Sequence, residues 1–274
     1  MKTILCPTDF SPVAQNSLLY AAEFAKRSGA EVILFHTEFF PQTIDEEEDE
    51  ELVNLPSEYI AELKEKLASL VAQLKLTYPE VKFRYVVEDG LAAENIALYA
   101  NNNNIDLIIL GTSGASGIQA IFAGSNTVRV MEKTKCPALI IPRKMEYKLP
   151  SLFVYAGDLQ GANEGIIKDV LEITRIFNAE LQLLHIRSEQ QLELVDSTSS
   201  LNTMLRMHST ENVRQEIITV DDSVEEIEEY VKNKADILVM TFKKNSFIEK
   251  LFNRNRVERI AYDAQIPLLI LHKP

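Results

Sequence analysis

Tryptophan is absent from the 274 residues, and cysteine occurs only twice, as Cys6 and Cys136. Two thiols cannot supply the dense disulfide framework of small secreted folds. Both fall in or beside apolar runs, so buried, reduced thiols and a cytoplasmic setting are expected. Nothing cationic flanks Cys6, which argues against a reactive thiolate. No apolar run approaches the roughly 20 residues of a membrane-spanning helix. Met1-Lys2 leads straight into a strand-like stretch, so neither a leader nor a membrane partner is expected. The four histidines, His36, His185, His208 and His272, show no spacing with Cys, Asp or Glu that would build a metal site. Excess basic charge is also missing. Lys and Arg number 28 against 41 Asp and Glu, a net charge of −13, which disfavours a nucleic-acid partner. Residues 45–51, DEEEDEE, carry seven of those negative charges; without them −6 remains. That run reads as a solvated, self-repelling loop.

What is present is alternation. Thr3 to Cys6, Glu31 to Thr37, Val81 to Val87, Leu107 to Leu110 and Pro137 to Pro142 read as strands. Between them lie helical patterns, from about Val13 to Ser28, Ser57 to Leu76, Ala92 to Asn101 and onward from Ser125. In the first, Leu18, Leu19, Ala22, Phe24 and Ala25 form the inner side and Gly29 the C-cap. The second keeps Ile60, Leu63, Leu67, Leu70, Val71 and Leu74 at helical spacing. Strands alternating with helices predict an α/β domain with a parallel sheet.

The pattern then begins again. A shift of 149 residues carries Asp9 onto Asp158 and His36 onto His185; a shift of 130 carries Asp106, Gly111 and Pro137 onto Asp236, Thr241 and Pro267. The difference of 19 residues is length missing from the second copy around the acidic run. The chain therefore reads as a duplication, 1–146 and 147–274, joined by a short polar link between Pro142 and Pro150.

The most informative stretch is Asp106 to Thr127, DLIILGTSGASGIQAIFAGSNT. A buried strand stops at Gly111, glycines recur at Gly114, Gly117 and Gly124, and Ser125 opens a helix. Glycines let backbone approach a ligand closely, and unpaired amides at a helix start attract anions. No lysine follows, so this is not a P-loop, and the first strand carries no GxGxxG. In the second copy Thr241, Lys244, Arg254 and Asn255 stand where Gly111, Gly114, Gly124 and Ser125 stand in the first. Side chains there block the backbone's approach to phosphate. Lys243, Lys244 and Arg254 then read as a basic surface, with another anion as the alternative.

Gly111-x-x-Gly114, nine residues, then Gly124-Ser125 resembles the nucleotide loop of the universal stress protein family. Pro7-Thr8-Asp9 after the first strand, the Val32 to His36 strand and Cys136-Pro137 before the last add to the likeness, which extends over both copies. The resemblance implies two tandem doubly wound α/β domains, each a five-stranded parallel sheet of order 3-2-1-4-5 flanked by helices. It implies an adenine nucleotide, ATP or AMP with or without Mg2+, in the first domain. Pro7, Thr8, Asp9, Thr37 and Leu110 would meet adenine and ribose; Gly111, Gly114, Gly124, Ser125 and Asn126 would hold the phosphates. Asp9 would accept from ribose hydroxyls, and it also suits an Asx turn or helix cap. Asn126 departs from the small apolar residue common in the family, which a backbone contact tolerates.

No nucleophile–base pair is apparent, so binding without fast turnover is expected, with slow ATP hydrolysis as one alternative and a pure interaction module as another. The family's domains pair through the final strand. Ala138 to Ile141 and Leu268 to Leu271 would then meet edge to edge within the chain, an intramolecular pseudo-dimer. A protein partner and a further homodimer are compatible with this reading.

Overall fold

Strand β1 (Thr3–Pro7) is buried through Ile4, Leu5 and Cys6, and leads into helix α1 (Pro12–Ser28). Ser11 caps that helix, its Oγ accepting from the Ala14 amide at 3.2 Å, and Pro12 occupies the first turn, where no intrahelical N–H is needed. The helix stops at Gly29, which adopts a left-handed φ of 72° and returns its amide to the Ala25 carbonyl. Its buried face holds Val13, Leu18, Tyr20, Ala21, Ala22, Phe24 and Ala25. Leu19, expected on the inner side, is instead 44% exposed. Each helical residue turns roughly 100° from the last, so with Leu18 facing the sheet its neighbour is carried away from it.

The remaining elements are β2 (Glu31–Glu38), α2 (Ser57–Thr77), β3 (Lys82–Asp89), α3 (Ala92–Asn102), β4 (Leu107–Gly111), α4 (Ser125–Lys133), β5 (Ala138–Ile141), β6 (Leu152–Gly157), α5 (Glu164–Phe177), β7 (Glu180–Arg187), β8 (Val213–Thr219), β9 (Ile237–Phe242) and β10 (Leu268–His272). This computed structural model describes residues 1–39, 57–111, 125–143, 145–157, 164–187, 213–219, 231, 234–242 and 266–272. The acidic run 45–51 lies outside them. Among the described residues no helix is long and apolar enough to cross a membrane.

The ten strands among the described residues join one sheet of order β3-β2-β1-β4-β5-β10-β9-β6-β7-β8. Read inward from either end, each five-strand half has the expected order 3-2-1-4-5, with every pairing inside a half parallel. The halves meet antiparallel, Leu268 opposite Ile140, Leu269 opposite Leu139 and Ile270 opposite Ala138, so neither final strand is left as an apolar edge.

Alternation along the strands sends side chains to two faces. Ile4, Cys6, Val32 and Leu34 share one core with Leu18, Phe24 and Leu67 of α1 and α2 and with Ile167 and Phe177 of α5. Leu5, Ile33, Phe35, Ile108 and Leu110 share the other with Ile96 of α3 and Val130 of α4. Cys6 belongs to the first core and Cys136 to the second, so the sheet separates two free, buried thiols. Burial pushes both thiols up, Cys136 to about 12, with Asp106 adding to the effect there.

Local details recur between the halves. Glu31 donates its amide to the Lys2 carbonyl and Glu180 to that of Ser151, both at 2.8 Å. Asp106 Oδ2 accepts from the amides of Lys2 and Thr3; Asp236 Oδ2 accepts from those of Ser151 and Leu152. Where Gly29 ends α1, Asn178 follows α5 with φ 51°, Asn being the side chain most at ease in that region.

Candidate functional site

In the first half α1 and α2 lie on one face of the sheet and α3 and α4 on the other, so the chain reverses direction between β1 and β4. In sheets of this kind ligands bind beyond the carboxyl ends of the strands at such a reversal. Pro7, Thr8 and Asp9 lie at the end of β1, Thr37 near the end of β2, and Leu110 and Gly111 at the end of β4. The fold thus gathers these six at one rim. Ser125 and Asn126 open α4, with backbone amides in the first turn, where a helix lacks internal acceptors. Their side chains, and Gly114 and Gly124, lie outside the described residues.

The β1–α1 turn is built from side chains. The Thr8 amide donates to the Phe35 carbonyl at 2.8 Å, tying the turn to β2. Thr8 Oγ1 accepts from the Phe10 amide at 3.2 Å, and Asp9 Oδ1 accepts from the Ser11 amide at 3.0 Å. Asp9 therefore makes the expected Asx turn, while the helix cap belongs to Ser11. Phe10 takes a left-handed φ of 62°, uncommon for a side chain of that bulk. Its ring lies 4.9 Å from the His36 ring, and the Lys66 ammonium sits 5.3 Å from its centroid. His36, 5% exposed, bonds through Nδ1 to the Thr8 carbonyl at 2.7 Å. A carbonyl can only accept, so Nδ1 carries the proton.

At the end of β4 a Cβ on Gly111 would stand 2.4 Å from Val13 Cγ1. Glycine is required there to let α1 lie against β4, independently of any ligand. Thr127, 3% exposed, reaches the Gly111 carbonyl through Oγ1 at 3.5 Å, linking the first turn of α4 to the strand tip. Phe10, His36 and Thr127 were not singled out as site residues. His36 could have been, as the polar residue closing the apolar run Val32–Phe35; a left-handed Phe leaves no trace in composition or periodicity.

In the second half β9 continues through Thr241, the counterpart of Gly111, to Phe242, whose ring lies 5.5 Å from His272. Burial lowers His272 to about 4, keeping it neutral at ordinary pH. Asp158, Lys243, Lys244, Arg254 and Asn255 lie outside the described residues. Among those described, no cluster of three His, Cys, Asp or Glu side chains could hold a metal.

The chain is similar to two universal stress proteins of Methanocaldococcus jannaschii. One is 30% identical over 161 residues, spanning 52% of this chain and 96% of that protein; the other is 31% identical over 150 residues, spanning 52% and 82%. A universal stress protein structure from Archaeoglobus fulgidus shares the fold over 99% of this chain and 98% of its own, with TM-score 0.71 at 18% identity. Residues 1–142 match the model of the universal stress protein family, which is more than half of the chain. This chain belongs to the universal stress protein family.

Proposed function

We propose that this is a stress-response protein whose first domain, 1–146, binds an adenine nucleotide, ATP or AMP, without fast turnover. The second domain, 147–274, lacks the loop for it. The observation that carries this reading is the gathering of the Thr8–Asp9 turn, Thr37 and the Leu110–Gly111 tip at the reversal of strand order. Asp9, turned by its bond to the Ser11 amide, suits the ribose hydroxyls. The backbone of Thr37 suits the adenine edge. The glycines from Gly111 to Gly124 and the start of α4 suit the phosphates, with Mg2+ where the ligand is ATP. The two buried, separated thiols accord with a cytoplasmic location.

Calorimetric titration with ATP and with AMP, each with and without Mg2+, tests the reading. One site is expected in the wild type, with binding lost in Gly114→Val and weakened at least about tenfold in Asp9→Ala, the loss of a charge-assisted hydrogen bond. Two sites would overturn the reading of the second domain; none would leave an interaction module. Steady phosphate release abolished by Asp9→Ala would establish a slow ATPase instead.

A further inference from the structure

We infer that His36 is the positioning residue of the candidate nucleotide site: it sets the Thr8–Asp9 turn and so aims the Asp9 carboxylate. Its functional consequence rests on the nucleotide reading above. The geometry is that of a fixed pivot. The imidazole is buried at the end of β2, and its Nδ1–H holds the Thr8 carbonyl at 2.7 Å across the strand boundary. The Thr8 amide is held to the same strand by the Phe35 carbonyl, so both sides of Thr8 are anchored to β2. Beyond that anchor the chain must reverse within three residues to reach the cap at Ser11. It does so with Phe10 left-handed, its ring packed tilted against that of His36.

The two side-chain turns that orient Asp9, Thr8 Oγ1 to the Phe10 amide and Asp9 Oδ1 to the Ser11 amide, therefore stand on the imidazole. Nε2 faces Glu38 Oε2 at 3.4 Å without hydrogen-bond alignment, and Tyr59 donates to the same oxygen at 3.4 Å. That carboxylate belongs to the residue after Thr37, so the far edge of the imidazole faces the same strand end. His36 thus joins the β1 and β2 contributions to one site.

The test uses two variants of the full chain. His36→Phe keeps a ring against Phe10 and removes the donor; His36→Asn removes the ring and keeps a donor at the Nδ1 position. Amide hydrogen exchange of the ligand-free protein is the first readout. In His36→Phe the Phe10 and Ser11 amides are expected to exchange about tenfold faster, while Ile109 in β4 keeps its protection; His36→Asn restores most of the difference. Titration with ATP and AMP is the second, with affinity expected to fall about tenfold in His36→Phe and to recover in His36→Asn. Unchanged exchange at Phe10 and Ser11, an equal rise at Ile109, or failure of His36→Asn to rescue would overturn the inference. So would faster exchange with unaltered affinity. If the wild type binds neither nucleotide, the function proposed above fails, and the exchange measurement still decides whether His36 sets the turn.

Discussion

Gly111 answers two demands at once. Its place in the glycine pattern points to phosphate, yet its neighbours show that any side chain would collide with Val13 of α1. Gly111→Ala is therefore expected to destabilise the protein by roughly 1–3 kcal/mol with no nucleotide present, read by chemical denaturation. Combined with Val13→Ala, it should cost less than the two single changes together, because the clash disappears. Additive losses would show that the glycine is not held by this contact. The thiols make a second residue-scale case. Cys6 and Cys136 are buried on opposite faces of the sheet, and burial raises both pKa values. A thiol reagent should label neither in the native protein at pH 8 and both after denaturation.

At the scale of elements, strand ends carry the pH dependence. Burial opposes the Asp236 charge, but bonds from Lys148, Ser151 and the Leu152 amide together hold its carboxyl below the ordinary carboxylate range. Its contribution is present above the unfolded pKa near 4 and is lost as pH falls through the lower folded value. His272, at the end of β10, has a folded pKa lowered from 6.5 to about 4, so the unfolded chain binds the proton first. Its neutral burial stabilises fully above 6.5, and that stability is lost as pH falls from 6.5 to 4, on the order of 3 kcal/mol. Urea unfolding across this range should show the loss, and His272→Phe should flatten it. Asp106 plays the same part for β1 that Asp236 plays for β6, accepting two strand-start amides. The 130-residue shift carries one carboxylate onto the other, and in each half the bonds it makes are long-range, spanning 84 to 104 residues.

Across the whole molecule the halves are joined by more than the β5–β10 seam. Phe24 of α1 meets Phe177 of α5 with ring centroids 4.4 Å apart, and the Arg27 guanidinium lies over the same ring. Asn16 and Tyr20 donate to the carbonyls of Met145 and Glu146, fixing the link onto α1, and Tyr147 packs edge-on against Tyr20. Phe177→Ala is expected to cost about 3–5 kcal/mol and to accelerate amide exchange at Phe24 and Ala25, in the other half. Loss of protection confined to α5 would show that the halves are energetically separate. The same α1 starts at the cap beside Asp9, so the candidate site and the contact between halves share one rigid element.

The strands and helices of the first half and the terminal turn at Gly29 were legible from periodicity and caps, since each depends on residues close in sequence; the order 3-2-1-4-5 came through the resemblance. So did the edge-to-edge meeting of the two final strands and the strand ends at which Pro7, Thr8, Asp9, Thr37, Leu110 and Gly111 stand, while the antiparallel sense of the seam was a finding of the structure. Tertiary structure alone decided that Leu19 faces outward, that Gly111 makes room for Val13, and that His36 holds Thr8 while Phe10 takes a left-handed turn. The Gly111–Val13 and His36–Thr8 contacts join residues far apart in sequence, and which face of α1 meets the sheet decides Leu19. One-dimensional spacing records the period of an element and the chemistry of its residues, but not the angle at which a neighbouring element arrives.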